Sequence, residues 1–261
     1  MSGSRVVMTL PAGGDAAVLE AQRAFHLAAG VDAVVTGLDD PAASGADWIL
    51  PARAGEFWWP HGGTLSDVLS AIPDEYGVVQ ALVRPLLAPA DAEGDVVAAN
   101  VYRLSMQAML DDPAGSPRPS RRLAHRAGID LGSFDGGIPK GALRPLRGWY
   151  PIEVLSLSAE PRLARAELER GVADGVLQLD TRLRDALATL ASGGQLAFPR
   201  PTVSESAWLA VDAAVLGEAD AFRLRREIDD LERRLAGLEE NLGVRIERKL
   251  RALSRRGRRE T

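Results

Sequence analysis

Asp47-Trp48-Ile49-Leu50-Pro51-Ala52-Arg53-Ala54-Gly55-Glu56-Phe57-Trp58-Trp59-Pro60 is the stretch on which the reading of the fold turns. Asp47 to Pro51 is a short apolar run closed by a proline, which predicts a buried strand at the point where it leaves its sheet. The residues that follow read as a loop carrying one acid, Glu56, and two adjacent tryptophans, Trp58 and Trp59. In open α/β sheets, ligands bind beyond the carboxyl ends of the strands, so polar groups at this place are candidates for a site.

The flanking sequence alternates in the same manner. Val6 to Leu10 is a first apolar run, broken by Gly13-Gly14. Asp15 is placed to cap a helix from about Ala16 to Ala29, with Val18, Leu19, Phe25 and Leu27 on its expected buried side and Gly30 at its end. Val31 to Thr36 predicts the next strand, followed by the polar turn Asp39-Asp40-Pro41. A short helix is expected over Leu65 to Ile72, a strand over Gly77 to Leu87, and a short helix over Asn100 to Leu110. Pro89 to Asp95 and Asp111 to Ser120 read as loops. Arg121 to Ala127, Ile129 to Phe134 and Trp149 to Leu157 read as strands, and Arg162 to Asp174 and Thr181 to Ala191 as amphipathic helices. The pattern predicts an α/β domain built on a mixed, mostly parallel sheet flanked by helices, over residues 1–200.

The last part of the chain is different in kind. Leu224, Ile228, Leu231, Leu235, Leu238 and Leu242 alternate steps of four and three residues, the apolar seam of a coiled coil. Ile246, Leu250 and Leu253 continue it after a stutter. Residues 201–261 therefore read as a long C-terminal helix that either pairs with another chain, a second copy or a paralogue, or lies on its own domain. The segment from Val244 to Thr261 holds eight basic and two acidic residues, a charge of +6, while the whole chain carries −5. A basic tail on an acidic body is either a solvated helix end or a contact for anionic lipid headgroups. No aromatic residue is interleaved with these arginines, which argues against nucleic acid.

At 261 residues with 46% apolar and 26% charged residues, the chain can bury a sizeable core. It has no cysteine, which excludes disulfides and thiolate metal sites. No apolar stretch has the length of a bilayer span, and the run after Met1 is too short for a signal-peptide core. These features predict a cytoplasmic protein, with peripheral contact at the inner membrane face through the basic tail.

Several blocks, taken in order, resemble family 2-type glycosyltransferases of the GT-A fold. Ala24-Phe25-His26-Leu27-Ala28-Ala29-Gly30-Val31-Asp32 is similar to that family's first helix and its turn into the second strand. The stretch from Ala46 to Leu65 is similar to the strand, the Asp-x-Asp-Glu-Phe-Trp metal loop and the helix after it. Arg122-Leu123-Ala124-His125-Arg126 resembles a Lys-x-x-His-Arg segment. Gly148-Trp149-Tyr150-Pro151-Ile152-Glu153-Val154-Leu155 resembles the block before a His-Phe-Pro motif.

The resemblance implies a Rossmann-like GT-A fold over roughly residues 5–170. It also implies a nucleotide-sugar donor, a glycan or small acceptor, and a Mn2+ or Mg2+ ion on the donor diphosphate. The polar positions of the pattern are replaced here. Pro11-Ala12-Gly13 stands at the first loop, Gly37 after the second strand, and Arg53-Ala54-Gly55 in place of Asp-x-Asp. Gly132-Ser133-Phe134 stands for Gly-Asn-His, and Ser156-Leu157-Ser158 for His-Phe-Pro. No metal ligand set is therefore expected.

Glu56 reads as a base for the acceptor hydroxyl or as a capping carboxylate. Arg53 can take over part of the metal's charge on a diphosphate. Trp58 and Trp59 read as stacking platforms or as core. Asp39, His125 with Arg126, and Asp135 complete the expected substrate contacts, with a turn or a simple hydrogen bond as the alternative for each. Three functions follow from the sequence: a sugar transferase with impaired or metal-independent catalysis; a non-catalytic relative that assembles through its C-terminal helix; and a membrane-surface adaptor.

Overall fold

The computed structural model describes residues 4–36, 45–92, 96–105, 120–129, 142–143, 152–157 and 163–199. The elements are β1 (Val6–Leu10), α1 (Ala16–Ala28), β2 (Ala33–Thr36), β3 (Trp48–Pro51), β4 (Glu56–Pro60), α2 (Leu65–Ser70), β5 (Val78–Leu86), α3 (Val96–Ala99), β6 (Tyr102–Leu104), β7 (Arg121–Arg126), β8 (Ala142–Leu143), β9 (Ile152–Leu157), α4 (Arg165–Ala173), β10 (Leu177–Leu179) and α5 (Arg182–Ala191). The main sheet has the order β2-β1-β3-β7-β5-β9-β4, with β8 alongside the start of β5. β1, β2, β3, β5, β8 and β9 run one way; β7 and β4 run against them. This is the mixed, mostly parallel sheet with helices that the alternating pattern predicts.

β4 and β2 lie at opposite ends of that order, yet α1 packs against both. The sheet therefore curls around α1. Its inner face builds one continuous core that takes Met8 from β1, Trp48 and Leu50 from β3, Phe57 and Trp58 from β4, and Phe25 from α1, all fully buried. On β1 the strand period of two sends Val6, Met8 and Leu10 to this core and Val7 to a small cluster on the other face with Ile49 and Ala46. Tyr102, Leu168 and Leu177 form a satellite core beneath the two-stranded β6–β10 sheet.

The helix starts and stops have local causes. The Asp15 carboxylate accepts from the N–H groups of Ala17 and Val18, at 2.8 and 3.2 Å. Thr64 and Asp67 form a reciprocal capping box at α2. Between them, Gly30 has φ +92°, and a Cβ there would lie 2.6 Å from the Thr64 Cβ. The α1–β2 turn thus needs glycine both for its backbone angle and for the close approach of α2.

Three expectations change. The buried stripe of α1 is Gln22, Phe25 and His26, with Val18 and Leu19 half-buried and Leu27 exposed. Positions 22, 25, 26 and 29 share one helical face, and Leu27 is rotated away from it. The residues after Arg53 do not stay in a loop, because Glu56–Pro60 is a strand buried along its whole length. Tyr102–Leu104 is a strand, not the start of a helix, because it pairs with Leu177–Leu179, an element that sequence reading had left out. The remaining part of that expected helix, the strand over 130–134, the loop over 111–119 and the C-terminal seam with its basic tail fall outside the described residues. No helix among the described residues is long and apolar enough to cross a membrane.

Candidate functional site

The loop 52–55 leaves the carboxyl end of β3 and lies over the carboxyl end of β9, where the Leu157 N–H donates to the Gly55 carbonyl at 2.9 Å. Glu56 then pairs with Ser156, so β4 runs back down the edge of the sheet. The turn requires φ +79° at Gly55, and a Cβ there would sit 3.3 Å from the Leu157 Cβ. An aspartate at position 55 would be strained by the backbone and pressed against β9.

Glu56 is almost fully buried, with 2% of its surface exposed. Its Oε2 accepts from the Arg53 N–H at 3.0 Å and from Arg122 Nε at 2.8 Å, and its Oε1 accepts from Arg122 Nη2. Arg122 thus holds the carboxylate with a two-pronged guanidinium contact, the strongest ion-pair geometry available to these groups. The loop backbone is held from the other side by Gln22 of α1. Its Nε2 donates to the carbonyls of Arg53 and Glu56 at 2.8 and 2.7 Å, and its Oε1 accepts from the Gly55 N–H at 3.1 Å. One turn further along α1, His26 Nε2 accepts from the Trp58 N–H at 2.9 Å. Its Nδ1 lies 2.6 Å from the Gln22 carbonyl and so carries the proton. Burial pushes the His26 imidazolium down to a pKa of about 3, and the hydrogen bond to Gln22 only partly offsets that.

Below this loop, β4 and β9 carry a second buried polar cluster. Glu153, 2% exposed, receives Arg84 Nε at 3.2 Å and Arg182 Nη1, and His61 Nε2 lies 3.4 Å from it. Arg182 also donates to both oxygens of Asp180, at 2.8 and 2.6 Å, and stacks over the Trp59 ring at 5.3 Å. Arg103 reaches Asp180 at 3.2 Å. Burial opposes the Glu153 charge, but Arg182, His61 and Arg84 hold its carboxyl well below the usual range. Asp180 is likewise lowered against its burial, chiefly by Arg182. This cluster joins the sheet to the segment that carries β10 and α5.

Neither a protein-family model nor a curated protein matches this chain.

The candidate residues are thus distributed as follows. Arg53 and Glu56 share the loop; the Arg53 side chain is exposed, with no hydrogen bond or ion pair from its guanidinium among the described residues. Trp58 is fully buried, and its indole N–H has no hydrogen-bond partner among the described residues. Trp59 is covered by Phe25, Phe198 and Arg182. Both rings are core in this structure, without an open face for a sugar or base.

His125 and Arg126 lie at the far end of β7. Arg126 pairs with Trp48 at the start of β3, donates to the carbonyls of Tyr76 and Ile72 at 3.2 and 3.1 Å, meets Asp74 at 3.1 Å, and stacks over Trp48 at 4.7 Å. His125 Nδ1 lies 3.0 Å from the Arg126 carbonyl, and burial lowers its basicity. Because β7 runs antiparallel to β3, its first residues reach the loop and its last residues do not. Arg122 therefore stands at Glu56, while His125 and Arg126, the expected substrate contacts, lie at the other end of the strand. Asp39 and Asp135 lie outside the described residues.

Sequence reading did not find Arg122, Gln22 or the Glu153–Arg182 cluster as site residues. Only the i, i+4 spacing of Gln22 and His26 on one helix face gave a signal, and two polar residues at that spacing usually point to solvent. The residues of the loop do not fit a divalent cation: position 55 cannot bear a ligand, and both oxygens of Glu56 are bound to protein. Among the described residues, no three His, Cys, Asp or Glu side chains gather in a metal-holding group.

Proposed function

We propose that this chain is a glycosyltransferase family 2-like protein of GT-A-like fold in which the former metal loop has become a structural joint. On this reading it does not transfer sugar by the metal-dependent route and acts as an assembly component through its C-terminal segment. The observation that carries the reading is the state of Glu56: the one acid left in the loop is buried, and both of its oxygens are held by Arg122 and the Arg53 N–H. The ancestry is supported by the pairing of Glu56 with Ser156 and the Leu157–Gly55 hydrogen bond. The segments that the resemblance matches to Asp-x-Asp, Arg53 to Gly55, and to the start of His-Phe-Pro, Ser156 and Leu157, are thus distant in sequence but adjacent in space.

A second reading has its own observation. The Arg53 guanidinium is exposed at the carboxyl end of the sheet, where it can meet a diphosphate without a metal. Calorimetric titration of the full chain with nucleoside diphosphates, with and without manganese, separates the two. We expect no manganese-dependent binding; tight binding that requires manganese would overturn the proposal. If binding is found without metal, Arg53→Ala is expected to weaken it at least tenfold, and an unchanged affinity removes Arg53 from the second reading.

The assembly role rests on the leucine seam from Leu224 to Leu253. The described chain ends at Pro199, whose carbonyl accepts from the Gly62 N–H at 3.2 Å. Gly62 follows the end of β4 that pairs with the start of β9, so the described chain stops at the end of the sheet opposite to Arg53. Light scattering on the full chain is expected to give a mass above that of one chain. A single-chain mass at micromolar concentration would count against homo-assembly and leave a paralogue or a lipid surface as the partner, the latter read by flotation with anionic vesicles.

A further inference from the structure

Among the described residues, β4 is the last strand of the main sheet, paired with β9 on one side only. An uncovered strand edge offers its N–H and C=O groups to any other chain. Here that edge is closed without a strand. The outward carbonyl of Glu56 receives Gln22, the outward N–H of Trp58 is taken by His26, and the next outward position, Pro60, has no N–H to offer. Two side chains one turn apart on α1 thus do the work of a neighbouring strand, and one of them, Gln22, also fixes the loop that carries Arg53 and Gly55.

The arrangement has one reversible element. The His26 ring can accept from Trp58 only while Nε2 is unprotonated, because Nδ1 already donates to Gln22. A proton on Nε2 would set two donors face to face. We propose that Gln22 and His26 form an acid-released latch: one proton on His26 frees the Trp58 N–H and opens the edge of β4 together with the 53–56 loop. This inference does not depend on whether the loop binds a sugar nucleotide.

The surroundings of His26 fit this role. The ring is fully buried between Phe25 at 5.2 Å and Phe57 at 5.9 Å. Among the described residues, burial is the dominant influence on its protonation, offset in part by the hydrogen bond to the Gln22 backbone carbonyl. The nearest charges on the packed elements are engaged elsewhere. Glu56 of β4 is turned onto Arg122, and Arg23 of α1 reaches the Val34 carbonyl of β2. Arg182 of α5 is held by Glu153 and Asp180, and Arg184 by Asp185. Nothing described stands ready to stabilise an imidazolium in the closed state, so the proton is taken up when the latch opens.

The sign follows directly. The closed form binds the proton only near pH 3, while a solvated histidine binds it near 6.5. Opening is therefore proton-coupled between these values, and the open fraction grows about tenfold for each pH unit below 6.5.

Amide hydrogen exchange by NMR on the full chain, from pH 7.5 to 5.0 and in low urea, tests the latch. After correction for intrinsic rates, the Trp58 and Gly55 amides should exchange at least tenfold faster than the Ala124 amide in the central strand β7. They should be insensitive to low urea and lose about tenfold protection per pH unit below 6.5. In His26→Phe, the pH dependence of the Trp58 amide should vanish. The proposal is overturned if Trp58 exchanges with the same protection and urea slope as Ala124, which would tie the proton to global unfolding. A flat pH response in the wild-type chain overturns it as well, and this arm does not need the variant to fold.

Discussion

Replacing Arg122 by leucine is expected to lower the unfolding free energy by about 3–5 kcal/mol, the range for leaving one member of a buried ion pair without its partner. Glu56 is the reason. Its side chain is 3% exposed and that of Arg122 20%, so removal of the guanidinium strands a carboxylate that solvent cannot reach. Water is a poor substitute there because the Gln22 amide and the loop backbone close the other side. Urea unfolding followed by tryptophan fluorescence measures the loss, with Trp58 and Trp59 two and three residues after Glu56. The decisive control is the pair of substitutions. Arg122→Leu with Glu56→Gln should be more stable than Arg122→Leu alone, since the second change removes the stranded charge. A double variant no more stable than the single one would mean that Arg122 acts by packing and not as a counter-charge.

Arg182→Met is the second large effect. It retains most of the side-chain volume and removes the group that links Glu153, Asp180 and Trp59. About a third of the Arg182 side chain reaches solvent. The expected cost is therefore about 3 kcal/mol at pH 7, the low end for breaking a buried pair. The pH dependence carries the more specific signature. Glu153 and Asp180 have folded pKa values below their unfolded ones, so their contribution is complete above the unfolded carboxyl range, near pH 4, and is lost as pH falls through the folded values. Without Arg182 both carboxyls rise toward the ordinary range and this contribution shrinks. The stability gap between wild type and variant should thus narrow from pH 7 to pH 3. Urea midpoints at the two pH values report it, and a gap that stays constant would show that the charge on Arg182 is not what stabilises the junction.

What was readable in the sequence divides along a physical line. Asp15 and Gly30 act within a few residues of themselves, and the helix they bound lies close to where the pattern puts it. The strands β1, β2, β3, β5 and β9 announce themselves by apolar runs between breakers. The Glu56–Pro60 segment does not, because Glu-Phe-Trp-Trp-Pro has neither alternation nor β-branched residues, and its strand state comes from pairing with β9. Likewise Tyr102–Leu104 becomes a strand only because Leu177–Leu179 lies beside it.

The candidate site followed the same division. The loop and its one acid were visible as Arg53-Ala54-Gly55-Glu56, and the absence of paired aspartates from it could be read directly. The partner of that acid was not. The strand Arg121–Arg126 contains three arginines and a histidine, and which of them reaches Glu56 depends on strand direction and register. A reversed β7 would have brought Arg126 there in place of Arg122.

The sequence by itself therefore determined an α/β chain with a capped first helix, a glycine turn and a loop without paired carboxylates, since these are properties of neighbouring residues. Only the tertiary structure decided that Glu56 is buried against Arg122, that the tryptophans are core, and that Gln22 and His26 close the edge of β4. Each of these contacts joins residues at least 30 positions apart in the chain. Such pairings are selected by the curl of the sheet and by desolvation, neither of which is encoded in any local pattern.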